Sequence, residues 1–122
     1  MINVDPPTPE SDLVARRLIA GYLNVPVYRA FQEWLGRADA LRPMWEAWSR
    51  GDRRGAVAAI PERVVQELIP QGAMADIRAC VRRYLDAGID TAFLNLSTSE
   101  PDPAKKRQIL MDAIRVLAPS AG

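Results

Sequence analysis

Apolar residues in this chain recur mostly at helical spacing and only locally in the tighter rhythm of a strand. The clearest stretch is Gln71–Leu96. Ile77, Cys80, Val81, Tyr84 and Leu85 fall at i, i+3, i+4, i+7 and i+8, one stripe of an amphipathic helix, with Arg78, Arg82, Arg83 and Asp86 opposite. Gly88 stands where a left-handed residue closes a helix cheaply. Thr91–Leu96 follows, with Ala92, Leu94 and Leu96 on one face and Phe93 on the other. A strand apolar on both faces directly after a helix predicts a buried strand of a parallel α/β sheet.

The same reading carries along the chain. Ile2 and Val4 alternate before Asp5-Pro6-Pro7, a strand stub broken by prolines. Thr8 as cap and Pro9 in the first turn open a helix running to about Asn24, with Val14, Leu18, Tyr22 and Ala15, Ile19, Leu23 as adjacent apolar rows. Pro26 ends it. Further helices are predicted from Val27 to Leu35, from Pro43 to before Gly51, from Asp52 through Ile60, from Pro61 until Pro70 and from Asp102 to before Pro119. In the last of these Leu110, Ala113, Ile114 and Leu117 face inward. Seven helices against one convincing strand leave that strand with open edges, so it pairs with another chain or belongs to a larger sheet.

Composition narrows the function. With 122 residues, 48 % of them apolar and 25 % charged, the chain is a single globular domain, and a net charge of +1 without a dense basic run argues against nucleic acid. No apolar run approaches the about 18 residues of a membrane span. One cysteine excludes an internal disulfide and fits the cytoplasm. There is no histidine, which removes the histidine triad, the histidine base and the histidine-ligated metal site. Cys80 lies on the predicted buried stripe and reads as an inert core residue rather than a nucleophile.

Candidate site residues follow from position. Tyr22, Asn24 and Tyr28 crowd a helix break: a proline turn with packed rings is the plain reading, the wall of an apolar substrate pocket the functional one. Trp34, Trp45 and Trp48 line the same pocket or, at helical spacing, fill the core. Gln71, Gly72 and Ala73 open the central helix, either as an ordinary turn or as a phosphate-binding helix start. Asn95 and Ser97 end the strand and count as site residues only in a barrel. Lys105, Lys106 and Arg107 sit at a helix start, where the dipole disfavours them.

The run Ala20-Gly21-Tyr22-Leu23-Asn24-Val25-Pro26-Val27-Tyr28, with Phe31 and Glu33-Trp34-Leu35-Gly36, resembles a segment of the bacterial luciferase-like flavin and deazaflavin oxidoreductases, in particular the coenzyme F-420-dependent branch. Met44-Trp45-Glu46-Ala47-Trp48, Gly51-Asp52-Arg53, Ala58-Ala59-Ile60-Pro61 and Arg83-Tyr84-Leu85-Asp86-Ala87-Gly88-Ile89 continue the likeness, from about Asp12 to Leu117. The resemblance implies an α/β, helix-rich fold, the C-terminal portion of a (β/α)8 TIM barrel: one domain over 1–122, with a helical insertion at 8–70, a short strand near Leu68–Pro70 and a closing α/β/α unit at 71–118. It implies coenzyme F-420, or alternatively FMN, acting by hydride transfer or monooxygenation on a small organic substrate. Tyr22, Asn24, Tyr28 and Trp34 would border that substrate. Where the family usually has a Ser or Thr and a Pro, this chain has Ala73 and Met74. Most cofactor-ring contacts in the family come from earlier strands, so a chain of this extent is inactive alone, pairs with a missing N-terminal barrel half or forms a homo-oligomer. The alternative is a non-enzymatic helical module that self-associates or pairs with a partner through its exposed strand.

Overall fold

Most helix starts are written in a side chain or a proline; those at Ala38 and Met74 are the exceptions. Ser11 N–H donates to Thr8 Oγ1 (3.1 Å) and Thr8 N–H to Ser11 Oγ (2.9 Å), a reciprocal cap in which serine takes the usual place of Glu or Gln. Gly55 N–H donates to Asp52 Oδ1 (2.7 Å) and Lys105 N–H to Asp102 Oδ1 (2.8 Å). The computed structural model describes residues 1–118. Its elements are β1 (Ile2–Asn3), α1 (Pro9–Leu23), α2 (Pro26–Trp34), α3 (Ala38–Ser49), α4 (Arg53–Ala58), α5 (Glu62–Leu68), α6 (Met74–Asp86), β2 (Leu96–Ser97) and α7 (Pro103–Leu117). The fold is thus helix-rich α/β. No helix among the described residues is long and apolar enough to cross a membrane. The chain forms two compact units, Asp12–Leu68 and, separately, Met1–Ser11 with the chain from Ile69 onward.

In the helical unit, Ala15, Ile19 and Leu23 of α1 are buried together with Leu41, Met44 and Trp45 of α3 and Val64 and Val65 of α5. Trp45 Nε1 donates to the Leu23 carbonyl at 2.9 Å, so the indole is satisfied as well as buried. Only one of the two apolar rows of α1 is used: Val14 and Tyr22, from the other, are half exposed. Helix α3 begins five residues before Pro43, not at it. Leu41 and Met44 on either side of Pro43 are fully buried, and this burial outweighs the helix bond that proline forgoes. Helix α2 is turned inside out. Its buried residue is Gln32, whose Oε1 accepts from Arg37 at 3.0 Å, while Val27, Phe31 and Trp34 face solvent.

In the α/β unit, β1 pairs with β2 in parallel, Ile2 opposite Leu96 and Asn3 opposite Ser97. The N-terminal stub is therefore the partner of the predicted strand. Ile2 N–H and Val4 N–H donate to Asn95 and Ser97, whereas Asn3 N–H turns the other way to Pro70, with a parallel bridge at Gln71. Residues 70–71 and β2 thus flank β1 on opposite edges. The core is Ile2, Val4, Ile77 and Ala113, with Met74, Val81, Leu96 and Leu110 packed around it.

Three expectations are corrected here. The strand predicted over Thr91–Leu96 is reduced to Leu96–Ser97, and Phe93 is 96 % exposed. On its β2 side the stub bonds only Asn95 and Ser97, so nothing pairs the earlier residues. Of the α6 stripe only Ile77 is buried; Cys80 and Val81 are half-buried, and Tyr84 and Leu85 are exposed, because the core beneath the helix ends with β1. Ile114 on α7 is likewise exposed, while Ala113 is buried. Helix α6 itself closes as its glycine foretells: Gly88 has φ 99°, and Ile89 N–H reaches back to Tyr84 while Gly88 N–H reaches Leu85.

Candidate functional site

Parallel strands present their carboxyl ends on one edge, and ligands of α/β sheets bind beyond that edge. Here it is built by Asp5 after β1, Gln71 at the bridge, and Thr98 and Ser99 after β2. Asp5 is nearly buried and fully occupied. It accepts from the Thr98 hydroxyl, from Ser99 N–H (2.6 Å) and from the Ser99 hydroxyl (2.7 Å). Burial pushes its carboxyl up, yet the three donors and the positive charge of Lys106 together hold it below the ordinary aspartate value. Asn3 Oδ1 in turn accepts from Asp5 N–H at 3.1 Å. This arrangement is a clamp that fixes the stub and the loop after β2. It also brings the charge of Lys106, the cation at an unfavourable helix start, within electrostatic reach of a carboxylate.

Gln71, Gly72 and Ala73 stand at the opening of α6. Ala73 makes no side-chain cap, Gly72 has φ 128°, and the space beside Gly72 is bounded only by an Asp76 oxygen 3.9 Å from where a Cβ would lie. Gln71 Oε1 is buried and has no hydrogen-bond partner. A buried acceptor without a protein donor is open to one from water or from a ligand. The Asp76 carboxylate already meets the positive end of the helix. These residues therefore fit a hydrogen-bond donor, an N–H or a hydroxyl, better than they fit a phosphate. Asn95 lends its carbonyl to Ile2 and is exposed, and Ser97 Oγ donates to the Ile2 carbonyl at 3.3 Å.

Tyr22, Asn24, Tyr28 and Trp34 belong to the helical unit. Tyr22 and Tyr28 are brought together, ring centroids 6.0 Å apart, and Trp34 stacks on Phe31 at 5.8 Å. Asn24 is half-buried in the turn between α1 and α2. Trp34 is 79 % exposed, so it fills no core within its unit. Trp45 is core, and Trp48 is half-buried under the Arg53 guanidinium, 3.8 Å from the ring centroid.

The Asp5, Thr98 and Ser99 set went unread in the sequence. Its members lie 93 and 94 positions apart, and Ser97–Pro101 reads simply as a polar loop. The one available signal was a carboxylate directly after an apolar stub. No family model, curated protein or solved structure matches the chain. Among the described residues, no three Asp, Glu or Cys side chains gather as a metal-holding group.

Proposed function

We propose that the chain is the C-terminal portion of a luciferase-like (β/α)8 oxidoreductase and supplies part of its cofactor and substrate surfaces. The observation that carries this reading is the buried, unpartnered Gln71 Oε1 at the carboxyl edge of the sheet, beside a helix start without a cap. The ordered resemblance from Asp12 to Leu117 supports it. Gln71, Gly72 and Ala73 would hold the cofactor, and Tyr22, Asn24, Tyr28 and Trp34 would border a small organic substrate. Bound coenzyme F-420 would supply hydride transfer, and FMN would supply oxygen insertion. The role of this chain is to bind and orient; no side chain at the edge is placed as acid, base or nucleophile. In a closed barrel each strand lies beside its successor, so residues 70–71 would adjoin the strand at β2, where β1 now intervenes. Completion of the barrel therefore requires β1 to release one of its two neighbours.

A fluorescence titration of the purified chain with coenzyme F-420 and with FMN, run beside a sizing experiment, tests this reading. Saturable micromolar binding of one of them, weakened by Gln71→Ala, is expected; no binding of either overturns it. The outward apolar face of α2 favours a second reading, a helical module that pairs with another copy of itself. A defined dimer that ignores both cofactors would select it.

A further inference from the structure

A groove in the helical unit is independent of the oxidoreductase reading. It is a half-open groove of about 880 Å³ between α1, α3 and α4, within the size range of small-molecule sites. Its lining is mainly apolar, from Leu13, Val57, Ala58 and Trp48, and it also includes Arg16, Arg17, Arg53 and Arg54. One of these arginines is spoken for: Arg16 meets Asp12 at 2.5 Å and Glu62 at 2.8 Å and also donates to the Ile60 carbonyl. Arg17, Arg53 and Arg54 pair with no carboxylate among the described residues. Their own helices cannot supply one, since the positions three and four residues away hold no Asp or Glu. Arg53 is nonetheless held in place, stacked on Trp48 and donating to the Trp48 carbonyl at 2.7 Å. Three unneutralised guanidiniums in a mainly apolar lining form a mixed surface. A bare inorganic ion would leave the apolar lining uncovered, and a neutral apolar molecule would leave the arginines unpaired.

We propose that this groove binds a small organic oxyanion, a carboxylate or phosphate monoester on a flat apolar body. The body would lie against Trp48, Leu13 and Val57, and the oxyanion would be gripped by Arg17 and Arg54, whose planar forks match such groups. A nucleic acid is the poorer fit, because the net charge is +1 and the basic surface is a cluster rather than a track.

The probe is 1-naphthyl phosphate, titrated calorimetrically into the whole chain beside 1-naphthol and inorganic phosphate. Saturable binding at least about tenfold tighter than either control is expected, as both halves of the ligand contribute. The double variant Arg17→Gln, Arg54→Gln removes two exposed side chains and leaves the core untouched, so it folds, as circular dichroism checks. It should lower the naphthyl phosphate affinity by about tenfold or more, the loss expected for charge-assisted hydrogen bonds, and leave 1-naphthol unaffected. The proposal is overturned if 1-naphthol binds as well as its phosphate, if inorganic phosphate does, or if the double variant binds unchanged. Tighter binding of a short single-stranded oligonucleotide, with displacement of the probe, would also overturn it in favour of a nucleic-acid surface.

Discussion

Replacing Asp5 tests the clamp that holds the α/β unit. Its carboxylate receives three hydrogen bonds, from the Thr98 hydroxyl and from the N–H and hydroxyl of Ser99, at a nearly buried position. Hydrogen bonds to a charged acceptor contribute about 1.5–3 kcal/mol each, but the hydroxyls can turn to water once the carboxylate is gone. Asp5→Ala should therefore cost about 2–4 kcal/mol, and Asp5→Asn, which keeps the shape and one acceptor, about half of that. Tryptophan fluorescence is the wrong probe, because Trp34, Trp45 and Trp48 all lie in the helical unit. Amide hydrogen exchange at Ile2, Asn3 and Val4 reads the bonds from β1 to Pro70, Asn95 and Ser97 directly. A loss of 2 kcal/mol is about a thirtyfold faster exchange at those amides. The effect should also depend on pH. The folded Asp5 is more acidic than the unfolded one, so its stabilisation is complete above the ordinary aspartate pKa and is lost as pH falls through the folded value. The difference between wild type and Asp5→Asn should accordingly be full at neutral pH and shrink in acid. Exchange rates at the three amides changed by less than about threefold in Asp5→Ala would refute the clamp.

Other substitutions separate core from surface. Trp45→Ala should destabilise the helical unit by about 3–5 kcal/mol in urea unfolding, since a buried ring and its bond to Leu23 both go. Trp34→Ala should change stability by less than about 0.5 kcal/mol, because 79 % of that side chain is already in water. Gly88→Ala should cost about 1–2 kcal/mol by forcing a side chain into the left-handed region at φ 99°, read as a lower melting temperature. Asp102→Ala should cost about 1 kcal/mol through loss of the cap to Lys105, and Asp102→Asn should restore most of it.

What the sequence disclosed was local. Thr8, Asp52 and Asp102 announce helix starts because a short polar side chain satisfies an orphan N–H within its own turn. Gly88 announces a stop for an equally local reason. Burial was less legible, since it depends on what lies opposite. Phe31 and Trp34 have the spacing of a core stripe, yet Gln32 is the residue that α2 buries. Tyr84 and Leu85 continue the stripe begun by Ile77, but the stub beneath them is only two residues long. The Asp5 clamp joins residues more than ninety positions apart, and no periodicity records such a pairing. The sequence places Gln71 at a helix start, whereas its buried, unpartnered oxygen emerges only from three-dimensional packing.

The most direct test of the proposed function is an amide chemical-shift titration of the isotopically labelled chain with coenzyme F-420 and with FMN. The account predicts saturating shifts at Gln71, Gly72 and Ala73 for one of the two, including the Gln71 side-chain amide, whose oxygen gains a donor from the ligand. Saturating shifts confined to other residues, or none with either cofactor, would contradict it.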